Sequence, residues 1–438
     1  MQSRQIVIGA AVLLTHFMPL NAHAVGQTAA LYTVGEQPRV ADSAGLALTL
    51  EQAIELALST SPELRSIAQN VAIAEGDRVQ AGLVPNPEFS ILREGMQKST
   101  RTQTIQVSQA LELGGKRGAR INLADQDREL AVGDVGVGRA ELRADVTAAY
   151  LEALTAQEHV SLAQASLDLA RKATGAAGRR VAAGKISPLE QTRSSVAEAG
   201  VRLELSQAIA EASMSKRRLA ALWGSTQLLE QSLVMPDMDL TAIPSMEELQ
   251  ARLEKSPQMQ RARMQIVREE AQVKLERATR IPDLTVSVGN KKDNELNRSQ
   301  TVVGISVPLP LFNRNQGNML SALRRVDKAK AQAEVEHLRL TQALMDAYQR
   351  AQVAQEQIGS MRNEILPSAQ SAFEAAVTGF ELGKFGFLDV LDAQRTLFQN
   401  RAQYLRALSD RYRSIADLQR YVAVENGNGI SPTLRNTK

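Results

Sequence analysis

The chain repeats itself. Ser61-Pro62 returns as Ser256-Pro257, and Pro87, Phe89 and Ile91 return as Pro282, Leu284 and Val286, in each case 195 residues later. Ser108, Leu111 and Leu113 return 198 residues later as Ser306, Leu309 and Leu311, and Ala149-Tyr150 returns at the same offset as Ala347-Tyr348. Gly184-Lys185 returns as Gly383-Lys384 after 199 residues. Landmarks in one order, with two small changes of length, mark an internal duplication. The unit is roughly 195 residues, far above the 20–50 residues of solenoid repeats. Whatever the first copy builds, the second has to build again.

The copies span 48–243 and 244–424. Each reads as helices (50–82 and 246–279), a strand region (86–111 and 283–309), a long helix (118–182 and 316–381) and a return helix (188–222 and 387–422). Ser-Pro in the opening helices suits a helix start, because the N–H that proline lacks has no partner in a first turn. The strand regions alternate with period two: Ile105, Val107 and Leu111 against Thr104, Gln106 and Ser108; Val303, Ile305, Val307 and Leu309 against Gly304, Ser306 and Pro308. Their partners run through Phe89 and Ile91, and through Leu284, Val286 and Val288. Such runs have one apolar and one polar face and the length of an outer-membrane strand. The segments Glu94 to Arg101 and Asn290 to Ser299 are polar and read as water-facing loops. No helical segment is evident to cover the apolar face, so a lipid-facing sheet is favoured over a soluble hairpin.

In the long helices, Leu142, Val146, Ala149, Ala153, Ala156, Val160, Ala163, Leu167, Ala170, Thr174, Ala177 and Val181 step by four and three. Leu340, Leu344, Ala347, Ala351, Ala354, Ile358, Met361 and Ile365 do the same in the second copy. This is a coiled-coil seam, rich enough in Ala for close helix approach. At 1.5 Å per residue the first of these helices is on the order of 100 Å long. Pro367 predicts a local bend in the second. Aromatic residues make up only 3% of the chain, which suits long helices with narrow seams better than a thick core.

The N-terminus has a basic Arg4, an apolar run from Ile6 to Leu14 and Ala22-His23-Ala24, the pattern of a secretory signal over 1–24. Residues 25–47 and 425–438 read as loosely structured extensions. No stretch reaches the ~18 apolar residues of a spanning helix. There is no Cys for a disulfide or for lipid attachment. The net charge is +3 with both signs interspersed, so no nucleic-acid surface is indicated. Four strands cannot close a membrane barrel, and an open edge in lipid leaves backbone groups without partners. Two copies would close with a filled interior, whereas three give twelve strands and a lumen. The fold class expected is therefore mainly α with a small β part: duplicated long-helix hairpins forming an α-barrel, continued by a trimeric twelve-stranded transmembrane β-barrel.

With this duplication, the segment Val107 to Arg117 (VSQALELGGKR) and the segment Gly379 to Asp392 (GFELGKFGFLDVLD), the chain resembles the TolC-type outer-membrane factors of tripartite efflux pumps over residues 46–424. Leu111 to Arg117 looks most like the heavy-metal, cobalt–zinc–cadmium branch (CzcC-like). The resemblance implies a homotrimer in the outer membrane with a long periplasmic tunnel, a periplasmic adaptor (membrane fusion protein), an inner-membrane transporter of the resistance-nodulation-division (RND) class, and no chemistry or cofactor in this component.

Asp389 and Asp392 share one helix face and match the family's acidic gate positions. Repeated by trimer symmetry at a constriction, they would repel one another and attract cations. Glu190 stands at the position of Asp389 in the first copy, and Arg193, at that of Asp392, offers a partner for a gate carboxylate. Gly184, Lys185, Gly383 and Lys384 mark the far tips, where adaptor contact is expected. Phe380 and Phe387 flank the second tip, as hairpin packing or as an apolar collar. No metal site is visible: His159 and His337 stand alone, and Met235 and Met238 lie in a Pro-bounded connector that favours packing. No phosphate loop or nucleophile–base pair suggests an enzyme. Metal cations are the favoured cargo. Alternatives are the same duct serving organic drugs or type I secretion, and a poreless periplasmic coiled-coil scaffold.

Overall fold

A computed structural model describes residues 47–422 apart from 228, 237–242 and 383. The expected signal, both terminal extensions, Met238 and Gly383 lie outside the described residues. The first copy forms α1 (Leu50–Thr60), α2 (Pro62–Ala81), β1 (Glu88–Glu94), β2 (Thr102–Leu111), α3 (Lys116–Ala182) and α4 (Pro188–Ala221). The second forms α5 (Met246–Leu253), α6 (Pro257–Thr279), β3 (Leu284–Asp293), β4 (Arg298–Ser306), α7 (Gln316–Ser360), a π-helical turn (Met361–Ile365), α8 (Leu366–Glu381) and α9 (Phe387–Tyr421).

Local chemistry sets the helix starts. Ser61, Ser187 and Ser256 each cap a helix whose first turn holds Pro62, Pro188 or Pro257, the serine oxygen accepting a backbone N–H. Each copy then builds its own small core where the short helices meet the long ones. In the first, Leu50, Ala53 and Ala57 pack on Val146, Tyr150 and Leu154. In the second, Leu249, Leu253 and Met259 pack on Leu340, Leu344 and Ala347. The first core has an added anchor: the Tyr150 hydroxyl lies 2.7 Å from the carbonyls of Leu48 and Val234 and accepts the Val234 N–H.

The seam of α3 is buried at Leu142, Val146, Ala153, Ala156, Ala163, Leu167, Ala170 and Ala177. The second seam holds from Leu340 to Met361, but Ile365 is exposed, and burial resumes at Ala369 and Ala376. The π turn is the cause. The Leu366 N–H bonds back five residues to the Met361 carbonyl, so one extra residue enters the turn and the seam shifts by one position. Pro367, with no N–H to give, follows in the first turn of α8.

The strands form one antiparallel sheet in the order β1-β2-β3-β4. The second hairpin is longer than its polar sequence implies: Asn290 to Asp293 and Arg298-Ser299 belong to the ladder, not to a loop. Polar side chains do not end a strand whose backbone is paired. The turn is set by Asn297 at φ 45° and by the Asp293 carboxylate, which accepts the N–H groups of Glu295 and Leu296.

Candidate functional site

The register sorts the sheet into two faces. Phe89, Val107, Val288 and Val303 lie opposite one another in a row across all four strands, flanked by Ile91, Ile105 and Ile305 on the same face. All are exposed, Phe89 at 63% and Ile305 at 72%. The other face carries Ser90, Gln106, Ser108, Ser287, Gly289 and Gly304, with Leu92 and Val302 as its apolar exceptions. Contiguous exposed apolar surface on one face and polar surface on the other is the pattern of a barrel wall between lipid and water. Toward the hairpin tips the apolar face ends in Arg93, Gln103, Lys292 and Ser299. Among the described residues no helix is long and apolar enough to cross a membrane.

Where the first strand pair meets α3, the segment Glu112 to Arg120 forms a knuckle. Gly114 (φ 72°) and Gly115 (φ 74°) both take the left-handed conformation. A Cβ on Gly114 would lie 2.8 Å from the Cβ of Ile281. Glu112 holds Arg120 through two hydrogen bonds, one of 2.9 Å to Nη2. The Arg120 hydrogen bond keeps the Glu112 carboxyl below the usual glutamate range. Lys116 Nζ donates to Asp283 Oδ1 at 2.7 Å, Leu113 N–H donates to the same oxygen, and Arg117 Nε donates to the Gly82 carbonyl. The segment that carries the sequence resemblance therefore fastens the first copy's strands to the second copy's strand start.

At the opposite end are the two tips. Gly184 closes the first at φ 66°, with the Lys185 N–H bonded to the Arg180 carbonyl. Lys185 and Lys384 are both exposed. In the second tip, Lys384 N–H and Phe385 N–H bond to the Gly379 carbonyl, and the Phe385 ring covers Gly379 so closely that a Cβ there would lie 2.1 Å from it. Asp389 and Asp392 are exposed on the first turns of α9. Asp389 Oδ2 accepts the Gly386 N–H at 2.7 Å, so this carboxylate also caps its own helix. Within the chain Arg193 pairs with Glu190 at 3.1 Å, not with Asp389 or Asp392, because three residues on one helix bring the first two together. Phe380 packs across copies: the Arg180 guanidinium sits 4.3 Å from its ring centroid and donates to its carbonyl at 3.1 Å. Phe387 opens α9, and its side chain lies outside the described residues.

A family model described as outer membrane efflux protein matches residues 53–225 and 249–424, one span on each copy of the duplicated unit. The chain belongs to that family. It is similar to the cobalt-zinc-cadmium resistance protein CzcC of Cupriavidus metallidurans, with 44% identity over 376 residues that cover 85% of this chain and 89% of the relative. Its fold matches CusC, whose structures concern transmembrane channel formation (TM-score 0.70, 19% identity, 85% of this chain and 91% of that one). It also matches the open state of the MtrE outer membrane channel of Neisseria gonorrhoeae (TM-score 0.71, 20% identity, 85% and 88%). This member of the family thus combines the outer-membrane channel fold with a sheet whose faces suit lipid and water.

Among the described residues no three His, Asp or Glu side chains gather as metal ligands. His337, expected to stand alone, has Glu254 at 3.0 Å, a neighbour 83 positions away that spacing along a helix does not reveal. Arg180 shapes the tips but carried no local signal, whereas Gly379 and Phe385 lie in the segment that carries the resemblance without having been given a role there. Arg180 and Phe380 are 200 residues apart.

Proposed function

We propose that this chain forms the outer-membrane exit duct of a heavy-metal efflux system, a passive homotrimeric conduit taking metal cations from a periplasmic adaptor and an RND-type inner-membrane transporter to the cell exterior. The observation that carries the reading is the four-stranded sheet, apolar on one face and polar on the other, with unpaired outer edges at β1 and β4. A membrane tolerates no such edge, so the sheet closes with further copies, and three give a twelve-stranded wall around a water-filled bore. The same exposed face disfavours a poreless scaffold. The 44% identity to CzcC supports cobalt, zinc and cadmium as cargo. In this reading cations pass through the duct without being held.

In this reading Asp389 and Asp392 form acidic rings at the periplasmic mouth, Glu190 and Arg193 line the neighbouring positions, and the tips at Gly184, Lys185, Gly383 and Lys384 meet the adaptor. Phe380 stiffens the second tip through Arg180, and Phe387 is the remaining candidate for an apolar collar. The test is a deletion strain carrying the gene or an empty plasmid. Cobalt, zinc and cadmium tolerance should fall on deletion and return with the gene, and the protein should need detergent for release from washed outer membranes. Unchanged metal tolerance with new sensitivity to organic drugs would move the cargo to the organic class.

A further inference from the structure

Helix α3 meets the second copy through ion pairs of one polarity. Asp127, Asp134 and Asp145 on α3 pair with Arg268 and Arg261 on α6 and with Arg420 on α9, at 2.8, 2.5 and 2.6 Å. Arg139 and Arg143 interrupt that pattern. They stand on the same stretch of α3, between Asp134 and Asp145, one helical turn apart. Like charges at that spacing repel. Both are exposed, and neither guanidinium has an ion pair or a hydrogen-bond partner among the described residues.

The two arginines border a cavity of about 370 Å³, where α3 passes the start of α6 and the end of α9. Gly136, Ala140 and Ala144, spaced by four on one face of α3, leave it room. Arg420 adds a third guanidinium from α9, and no carboxylate lines the cavity among the described residues. Asp145 engages Nη2 of Arg420, whereas the Arg420 Nε is shielded from solvent and meets no acceptor there. Beside it Gln258, only 7% exposed, donates Nε2 to the Arg420 carbonyl at 3.3 Å and leaves its own Oε1 unpartnered. Pro257, in the first turn of α6, lines the same space, so the positive end of that helix dipole adds to the field.

We propose that this cavity binds a small polyanion, an oxyanion ligand of the carboxylate or phosphate class. Guanidinium forks match the paired oxygens of both groups, and a shielded donor without an acceptor is costly to keep. Asp145 neutralises one of the three guanidiniums, so two positive charges stay uncompensated, and the ligand carries two or more negative charges. The volume falls in the range of small-molecule sites. A bound oxyanion bridges α3 of the first copy to α9 of the second, at the level where their own ion pairs leave a gap. The site belongs neither to the sheet nor to the tips, and it is independent of the cargo the duct carries.

The test is calorimetric titration of the full-length protein in detergent with citrate and with inorganic phosphate, sodium chloride holding the ionic strength constant. Saturable binding of at least one anion is expected, with a matching rise in the unfolding temperature. Tighter binding of citrate assigns the site to polycarboxylates, and tighter binding of phosphate assigns it to phosphate groups. R139Q/R143Q should weaken binding by about tenfold or more, because two charge-assisted hydrogen bonds are lost. Both side chains are exposed, and the unfolding temperature without anion reads whether this variant is intact. R324Q/R325Q removes the same charge from the exposed surface of α7 and should leave binding unchanged. A parent that binds neither anion saturably overturns the site. So does an intact R139Q/R143Q that binds like the parent, or equal weakening in the two double variants, which would reduce the effect to surface charge.

Discussion

In the first copy of the unit, α3 runs unbroken from Lys116 to Ala182, its strand junction is fastened by Glu112, Lys116 and Arg120, and helices from both copies cover it. In the second, the corresponding helix is interrupted by a π turn at Met361–Ile365. Its strand junction runs through Pro308, Pro310 and Phe312, the last 90% exposed, and the outward side of α7 carries exposed Leu and Val. One architecture is thus finished inside the chain at one end and left unfinished at the other. The difference separates a junction that is fastened within the chain from one that is left exposed.

The largest expected effect tests whether the two junctions do the same work. Gly114→Val places a branched side chain at φ 72° against Ile281. Left-handed strain and overpacking together should cost about 3 kcal/mol or more, enough to remove folded protein from the outer membrane. Phe312→Val, at the matching position of the second junction, meets open surface and should change the chain's unfolding by about 0.5 kcal/mol or less. Thermal unfolding of both variants in detergent is the measurement. Equal losses would mean that the exposed junction is already supported within one chain.

The tips offer a second contrast. Gly379→Ala drives a methyl group into the Phe385 ring, whereas Gly184→Ala meets no atom within 4 Å and bears only its positive φ. Amide exchange at the second tip should quicken by about tenfold or more, and at the first by less, in line with overpacking of about 1–3 kcal/mol against left-handed strain of about 1–2 kcal/mol. Channel behaviour should follow the same division. Removing both carboxylates with D389A/D392A should raise single-channel conductance severalfold in planar bilayers. E190A/R193A removes a pair that already neutralises itself and should change conductance little. Parental conductance in D389A/D392A would remove the acidic gate.

The parts legible in the sequence were those whose signal is periodic. Strand alternation gave the two faces of the sheet, and four–three spacing gave the α3 seam from Leu142 to Ala177, because burial follows directly from those periods. Ile365 broke the pattern because a π turn changes the number of residues per turn, and the sequence advertises that only through the nearby Pro367. Asn290 to Asp293 read as loop because polar composition carries no information about backbone pairing. The junction was visible as a motif but not as a clamp, since Asp283 lies 167 positions from Lys116. The Arg180–Phe380 contact is likewise long-range. Asp389 is the reverse case: its capping bond is local and follows from its place three residues after Gly386.

The smallest effects concern two Glu–Arg ion pairs, one spanning the strand–helix junction and one within a single helix. Glu112 and Arg120 are largely shielded, and their hydrogen bonds lower the glutamate pKa. A carboxyl held lower in the folded state contributes its full stabilisation above the ordinary glutamate range and loses it as pH falls through the lowered value. The parent should therefore lose thermal stability between pH 5 and more acidic solution more steeply than Glu112→Gln, which is less stable at neutral pH but has no proton to take up there. Parallel acid limbs in the two proteins would break the assignment of acid sensitivity to this junction. Glu190 and Arg193 are both substantially exposed, and solvent screens them. Arg193→Ala should shift stability by less than about 0.5 kcal/mol at any pH.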